Sequence, residues 1–167
     1  MALSGALGDR VLDWIINNAG ISGEQGVTVG NIERNNFLNV INVNCLGALK
    51  ISEAFLPQLR KGQDKLIVAI SSRLGSIGDN QQSRSYAYRS SKAALNCAMR
   101  SFALDVANEE IKVILLHPGW VRTRLGGPEA SIDVQTSVTG MLNVINQYKV
   151  NSHAEVLIGY DGERINW

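Results

Sequence analysis

The chain has 167 residues and a formal net charge of +1, with 45% hydrophobic and 19% charged side chains. That is enough for one domain with a full core, and too apolar for intrinsic disorder. An even charge balance without a Lys/Arg block, and the lack of any apolar run of membrane-span length, leave no feature suited to nucleic acid or to a membrane.

In chain order, the first residues, Met1 to Arg10, lack the cationic start and apolar stretch of a secretion signal, so a cytoplasmic location is expected. Residues 12–17 form a β-branched apolar run that ends at Asn18, Ala19 and Gly20, and read as a buried strand. A long helix is predicted over 35–60, where Phe37, Ile41, Asn44, Ala48, Ile51 and Phe55 recur at spacings of four and three. Residues 65–71 read as a second strand. A second long helix covers 86–106, with the stripe Tyr88, Lys92, Leu95, Met99, Phe102 and Val106. Residues 112–117 form a third strand, stopped by Pro118 and Gly119. A shorter helix over 137–148 and a weaker strand over 155–159 follow. Continuous apolar strands alternating with helices predict an α/β fold, a Rossmann-like parallel sheet with flanking helices and right-handed crossovers. Without an internal repeat or a linker, residues 1–167 are read as one domain. Cys45 and Cys97 lie in apolar helical patterns and are expected to be buried thiols rather than a disulfide or metal ligands. His117 and His153 lack metal-ligand spacing.

Three polar groups interrupt these apolar patterns. Tyr88 and Lys92 stand four apart on one helix face. An ammonium beside a phenol favours the phenolate, and a tyrosine tuned in that way can exchange a proton with a carbonyl oxygen. Its structural alternative is a packed tyrosine with an exposed lysine. Ser71 and Ser72 end the second strand, and the carboxyl ends of strands are where open α/β sheets bind ligands. A serine there also commonly caps a turn. Asn44 places an amide on an apolar face, where its groups need partners: backbone, or a water beside the lysine.

Taken with their order, the segments 17–20 (NNAG), Asn44, Ile70-Ser71-Ser72, Tyr88-Arg89-Ser90-Ser91-Lys92 and Pro118-Gly119-Trp120-Val121-Arg122-Thr123 resemble the short-chain dehydrogenase/reductase family, and the ending 159–167 is similar to its C-factor-like branch. The serine aligned with the catalytic one is Ser72, because Gly75 follows three residues later. The resemblance implies an oxidoreductase that moves hydride between NAD or NADP and a small carbonyl or alcohol substrate. It implies Tyr88 as general acid/base, Lys92 as its pKa modulator and ribose ligand, Ser72 on the substrate oxygen, and Asn44 beside a relay water. It further implies that Asn18, Ala19, Gly20, Pro118, Gly119 and Thr123 lie along the cofactor, and that residues 122–140 cover the substrate.

One element of the family pattern is missing. Its TGxxxGxG turn, which holds the pyrophosphate at a helix N-terminus, belongs well upstream of NNAG, yet NNAG starts at Asn17 and no such turn occurs. Residues 2–8 read as the end of the helix that leads into the NNAG strand. The expectation is a C-terminal part of the fold lacking its first βαβαβ half, with the 12–17 strand left as an edge. An incomplete coding sequence, a processed fragment and a naturally short protein all fit. The alternative function is non-enzymatic cell–cell signalling or interaction. A second stripe on the first long helix, Leu38, Cys45, Leu49 and Leu56, either pairs in a homo-oligomer through the two long helices, as the resemblance implies, or is buried within one chain.

Overall fold

The computed structural model describes residues 2–149 and 153–167. Helix α1 (Ala2–Leu7) leads into strand β1 (Trp14–Asn17). After a loop come helix α2 (Arg34–Ile41), a π-helical turn (Asn42–Leu46) and helix α3 (Gly47–Leu59). Strand β2 (Leu66–Ile70), helix α4 (Tyr86–Asp105), strand β3 (Lys112–His117), helix α5 (Val134–Tyr148), strand β4 (His153–Gly159) and the short strand β5 (Arg164–Ile165) complete the order. The sheet runs β1-β2-β3-β4-β5, parallel from β1 to β4 and antiparallel at β5. The expected α/β fold and the adjacency of the first three strands are both present.

Alternate strand residues feed two cores, which is why the strands read as unbroken apolar runs. Ile15, Ile67, Ala69, Val113, Leu115 and Leu157 pack against Phe55 and Leu59 of α3 and Leu95, Met99 and Ala103 of α4. Leu66, Val68, Ile114, Leu116 and Ile158 pack against Val144 and Ile145 of α5. Both long helices therefore lie on one face. Among the described residues β1 is an edge strand, and its Ile16 is 52% exposed.

The structure departs from the sequence reading at three places and decides between its alternatives at a fourth. The helix predicted over 35–60 is interrupted by the π turn. One extra residue rotates the following face by about 100°, so Ile51 (43% exposed) turns to solvent and Ser52 takes the inner place beside Phe55, which stays buried as expected. The second stripe is largely used within the chain: Cys45 is buried, Leu49 and Leu56 pack against the core, and Leu38 stays exposed. Cys97, expected to be buried, is exposed. The helix predicted over 137–148 starts earlier, because Asp133 caps it by accepting the Thr136 N–H at 2.7 Å.

Candidate active site

At the carboxyl end of β2 the two serines part company. Ser71 turns under α4 and donates to Asn96 Oδ1 at 2.5 Å, fully buried. Ser72 caps a 3-10 turn, Arg73–Gly75, with its Oγ accepting the Leu74 N–H at 3.1 Å. The same hydroxyl faces the Tyr88 phenol and acts to lower its pKa. The turn sits tight on α4 because residue 75 is glycine: a Cβ there would lie 2.8 Å from the Lys92 carbonyl carbon. The chain enters α4 through two successive left-handed residues, Arg84 (φ 78°) and Ser85 (φ 54°), a conformation costly for side-chain-bearing residues and found at sites the surrounding fold holds in place.

Tyr88 and Lys92 share the inner face of α4. The Lys92 ammonium lies 5.8 Å from the centre of the Tyr88 ring and donates to Ile70 O at 2.8 Å. Lys92 is 4% exposed, and burial lowers its pKa from 10.5 to about 8. The expected depression of the Tyr88 pKa is absent. Burial raises the Tyr88 pKa above its ordinary value, and only the Ser72 hydroxyl pulls the other way. The lysine is itself desolvated and spends a hydrogen bond on Ile70 O, so it does not offset the burial of the phenol.

Asn44, 1% exposed in the π turn, is a brace. Its Oδ1 accepts the Ile21 N–H at 2.8 Å, and its Nδ2 donates to Ile21 O at 2.8 Å and to Ser91 Oγ at 2.9 Å. Ser91 donates in turn to Tyr88 O at 2.7 Å. Both amide hydrogens are thus used, and a water beside Asn44 is left the second lone pair of Oδ1. The sequence pointed to Asn44 but missed Ser91 and the main chain of Ile21. The available signal was a small hydroxyl on the face shared by Tyr88 and Lys92.

Asn18, Ala19 and Gly20 lie exposed at the carboxyl end of β1. A Cβ on Gly20 would stand 3.4 Å from Asn44 Oδ1 and 3.7 Å from Lys92 Nζ, so this backbone borders the same cluster. Pro118 and Gly119 follow β3. Pro118 O accepts from Ser137 Oγ at 2.6 Å, and Gly119 (φ +87°) abuts Ile132 and Tyr160. Thr123 is exposed, and its hydroxyl serves its own loop, donating to Val121 O at 3.3 Å and accepting the Gly126 N–H at 3.1 Å. The fold therefore brings Gly20, Asn44, Ser72, Tyr88 and Lys92 together, while the contacts of the Thr123 side chain stay within 121–126. A recess beside Tyr88 is lined by Val27, Ile32, Phe37 and Tyr86.

Comparison with known proteins gives the family. The family model for short chain dehydrogenases matches residues 7–132. The chain is 40% identical over 156 residues to C-signal of Myxococcus xanthus, covering 93% of each. It is 36% identical over 122 residues to 1-hydroxy-2-glutathionyl-2-methyl-3-butene dehydrogenase of Rhodococcus sp. (strain AD45), the match spanning 53% of that protein's length. Among solved structures, carbonyl reductase Sniffer of D. melanogaster superposes with a TM-score of 0.90 at 31% identity, over 99% of this chain and 71% of that one. NADPH-bound carbonyl reductase from chicken fatty liver gives a TM-score of 0.89 at 32% identity, over 99% and 70%. With its strand-end serine, its Tyr-Lys helix and its Asn brace in one cluster, the chain belongs to the short-chain dehydrogenase family.

Proposed function

We propose that this chain carries the proton-transfer end of an NAD(P)-dependent oxidoreductase acting on a small carbonyl or alcohol. The observation that supports it best is the convergence of the Ser72 hydroxyl and the Tyr88 phenol beside a buried Lys92, whose ammonium lies 5.8 Å from the Tyr88 ring centre. A substrate carbonyl oxygen between the Ser72 and Tyr88 hydroxyls receives a hydrogen bond from each. Because burial holds the Tyr88 pKa above its ordinary value, the phenol is protonated at neutral pH. In that form it is the group that hands a proton to a carbonyl oxygen, and as the phenolate it takes one from an alcohol. Ser72 holds the oxygen in line and stabilises negative charge as it develops there. The Asn44–Ser91 chain fixes the first turn of α4, and with it the direction of the phenol.

The residues present fit the nicotinamide end of the cofactor, whose ring supplies or accepts the hydride. The exposed backbone at Gly20 borders Lys92, whose Nζ lies 3.7 Å from where a Cβ would stand, and Lys92 would hold a ribose hydroxyl there. The adenine and pyrophosphate end is different: the sequence contains no TGxxxGxG turn to hold it. A cofactor held only at its nicotinamide end is held weakly, and hydride transfer needs it near attack geometry. The chain by itself is therefore expected to bind NADH or NADPH poorly. A glycine-rich strand–turn–helix segment supplied in front as a fusion is expected to restore binding and carbonyl reduction. In that fusion Tyr88→Phe removes the proton donor, cutting turnover by more than about 100-fold with cofactor affinity little changed. Calorimetric titration with both cofactors checks this, and saturable micromolar binding by the 167-residue chain alone refutes the weak-binding reading.

A second reading, an intercellular signal or interaction protein, is favoured by one observation. The match to C-signal covers 93% of both chains, whereas the named Rhodococcus dehydrogenase is matched over 53% of its length. A fused protein that binds NADPH and turns over no carbonyl favours this second reading.

A further inference from the structure

The loop after Ser72 is held from two sides. On the inner side Gly75 rests on the Lys92 backbone. On the outer side the loop meets the last residues of the chain. Arg73, the residue after the serine, pairs with Glu163 in the turn before β5 and with Asp79 at 3.5 Å in its own loop. The Gly78 N–H donates to the main-chain oxygen of Trp167 at 2.8 Å, and a Cβ on Gly78 would come within 3.1 Å of that oxygen. This outer support is itself anchored. β5 pairs with β4, and Ile165, 2% exposed, packs in the core beneath the long helices.

Ser72 depends on that loop for its direction. Its Oγ accepts the Leu74 N–H only while 73–75 stays coiled as a 3-10 turn, and the same oxygen meets the Tyr88 phenol. The Gly75 contact fixes where the turn sits but does not fix Arg73. Exposed ion pairs are individually weak, so the Arg73–Glu163 pair contributes as one of two fastenings beside the Gly78–Trp167 bond.

We propose that residues 163–167 are a positioning element for Ser72: by holding Arg73 and Gly78 they keep the 73–75 turn closed and the Ser72 hydroxyl directed at Tyr88. Arg73 and Glu163 are thus positioning residues that act through Ser72. The consequence for turnover rests on the carbonyl-reduction reading above, whereas the coupling itself is a property of the fold and is measured without turnover.

The test uses the whole 167-residue chain with Glu163→Gln, deletion of Trp167, and Glu163→Asp, which keeps the carboxylate. Amide hydrogen exchange reads Leu74 and Gly78. Absorbance at the phenolate band, taken as the difference from Tyr88→Phe, reads the Tyr88 titration. Glu163→Gln is expected to speed loop exchange about threefold and loss of Trp167 about tenfold, with exchange in β2 and β3 unchanged. The Tyr88 midpoint is expected to rise in step, because the Ser72 hydroxyl that lowers it turns away. Glu163→Asp is expected to keep both readouts near those of the unmodified chain. Unchanged loop exchange in both Glu163→Gln and the deletion overturns the proposal. Faster exchange with a fixed Tyr88 midpoint also overturns it, since the segment would then be structural only. If the shortened chain does not fold, Glu163→Gln, a change at an exposed side chain, still decides the matter. A fused protein that shows the coupling but reduces no carbonyl supports the proposal and counts against the enzymatic reading alone.

Discussion

Replacing Lys92 with methionine is expected to stabilise the folded chain at neutral pH while removing the ammonium on which the proposed chemistry relies. Lys92 is 4% exposed, and burial brings its pKa from 10.5 to about 8. The unfolded chain therefore holds that proton more tightly than the folded one. Below about pH 8 both states are charged, and the folded state bears the whole cost of a buried charge. Between about 8 and 10.5 the folded state has released the proton and the unfolded state has not, so stability rises with pH. The fall from 10.5 to about 8 corresponds to about 3 kcal/mol. Loss of the Ile70 O hydrogen bond returns about 1 kcal/mol of this. A net gain of about 2 kcal/mol is left at pH 7, a rise in midpoint temperature of about 4–8 °C for a chain of this size. Cys45 and Tyr88 titrate in the same alkaline range with pKa values raised by burial, so each makes stability fall as pH rises through its folded pKa. The informative quantity is therefore the difference between Lys92→Met and the unmodified chain, from urea unfolding followed by tryptophan fluorescence at pH 7 to 9.5. The gap is expected to be largest at pH 7 and to narrow as the pH rises. No gain at pH 7, or a gap that does not change with pH, refutes the reasoning.

Asn44→Ala strips three hydrogen bonds from a buried brace and is expected to cost about 2–4 kcal/mol in urea unfolding, with faster amide exchange at Ile21; a loss below about 1 kcal/mol would show that the Ile21 loop stands without it. Gly75→Ala pushes a Cβ to 2.8 Å from helix backbone that cannot yield as a side chain can, so it is expected to destabilise by about 1–3 kcal/mol and to raise the Tyr88 titration midpoint, read by unfolding and by phenolate absorbance. Pairing of the long helices between two copies would cover Leu38, Leu46 and Ile51, which are 50%, 47% and 43% exposed; sedimentation at micromolar concentration is expected to give a dimer that Leu46→Glu dissociates, and a monomer from the unmodified chain refutes it.

Much of this molecule is written locally. The strand at Lys112–His117 is an unbroken apolar run ended by proline and glycine, and its period and stop signal appear in any window around it. The Tyr88–Lys92 spacing puts both side chains on one helix face whatever surrounds the helix, and the order of strand-end serine, Tyr-Lys helix and Pro-Gly turn carried the family resemblance. What the sequence could not carry was everything that depends on burial and on distant partners. The choice of Ser72 over Ser71 came from the resemblance through Gly75, but its physical reason is tertiary: Asn96 meets one hydroxyl and Tyr88 faces the other. The π turn leaves no periodic trace because its extra residue is inserted where Asn44 must reach Ile21 and Ser91 together. The sign of the Tyr88 shift was misjudged because a nearby ammonium is legible from spacing, whereas desolvation of both groups is a property of the packed interior. The hold of residues 163–167 on the Ser72 loop joins positions about 90 apart in the chain, and only the pairing of β5 with β4 brings them together.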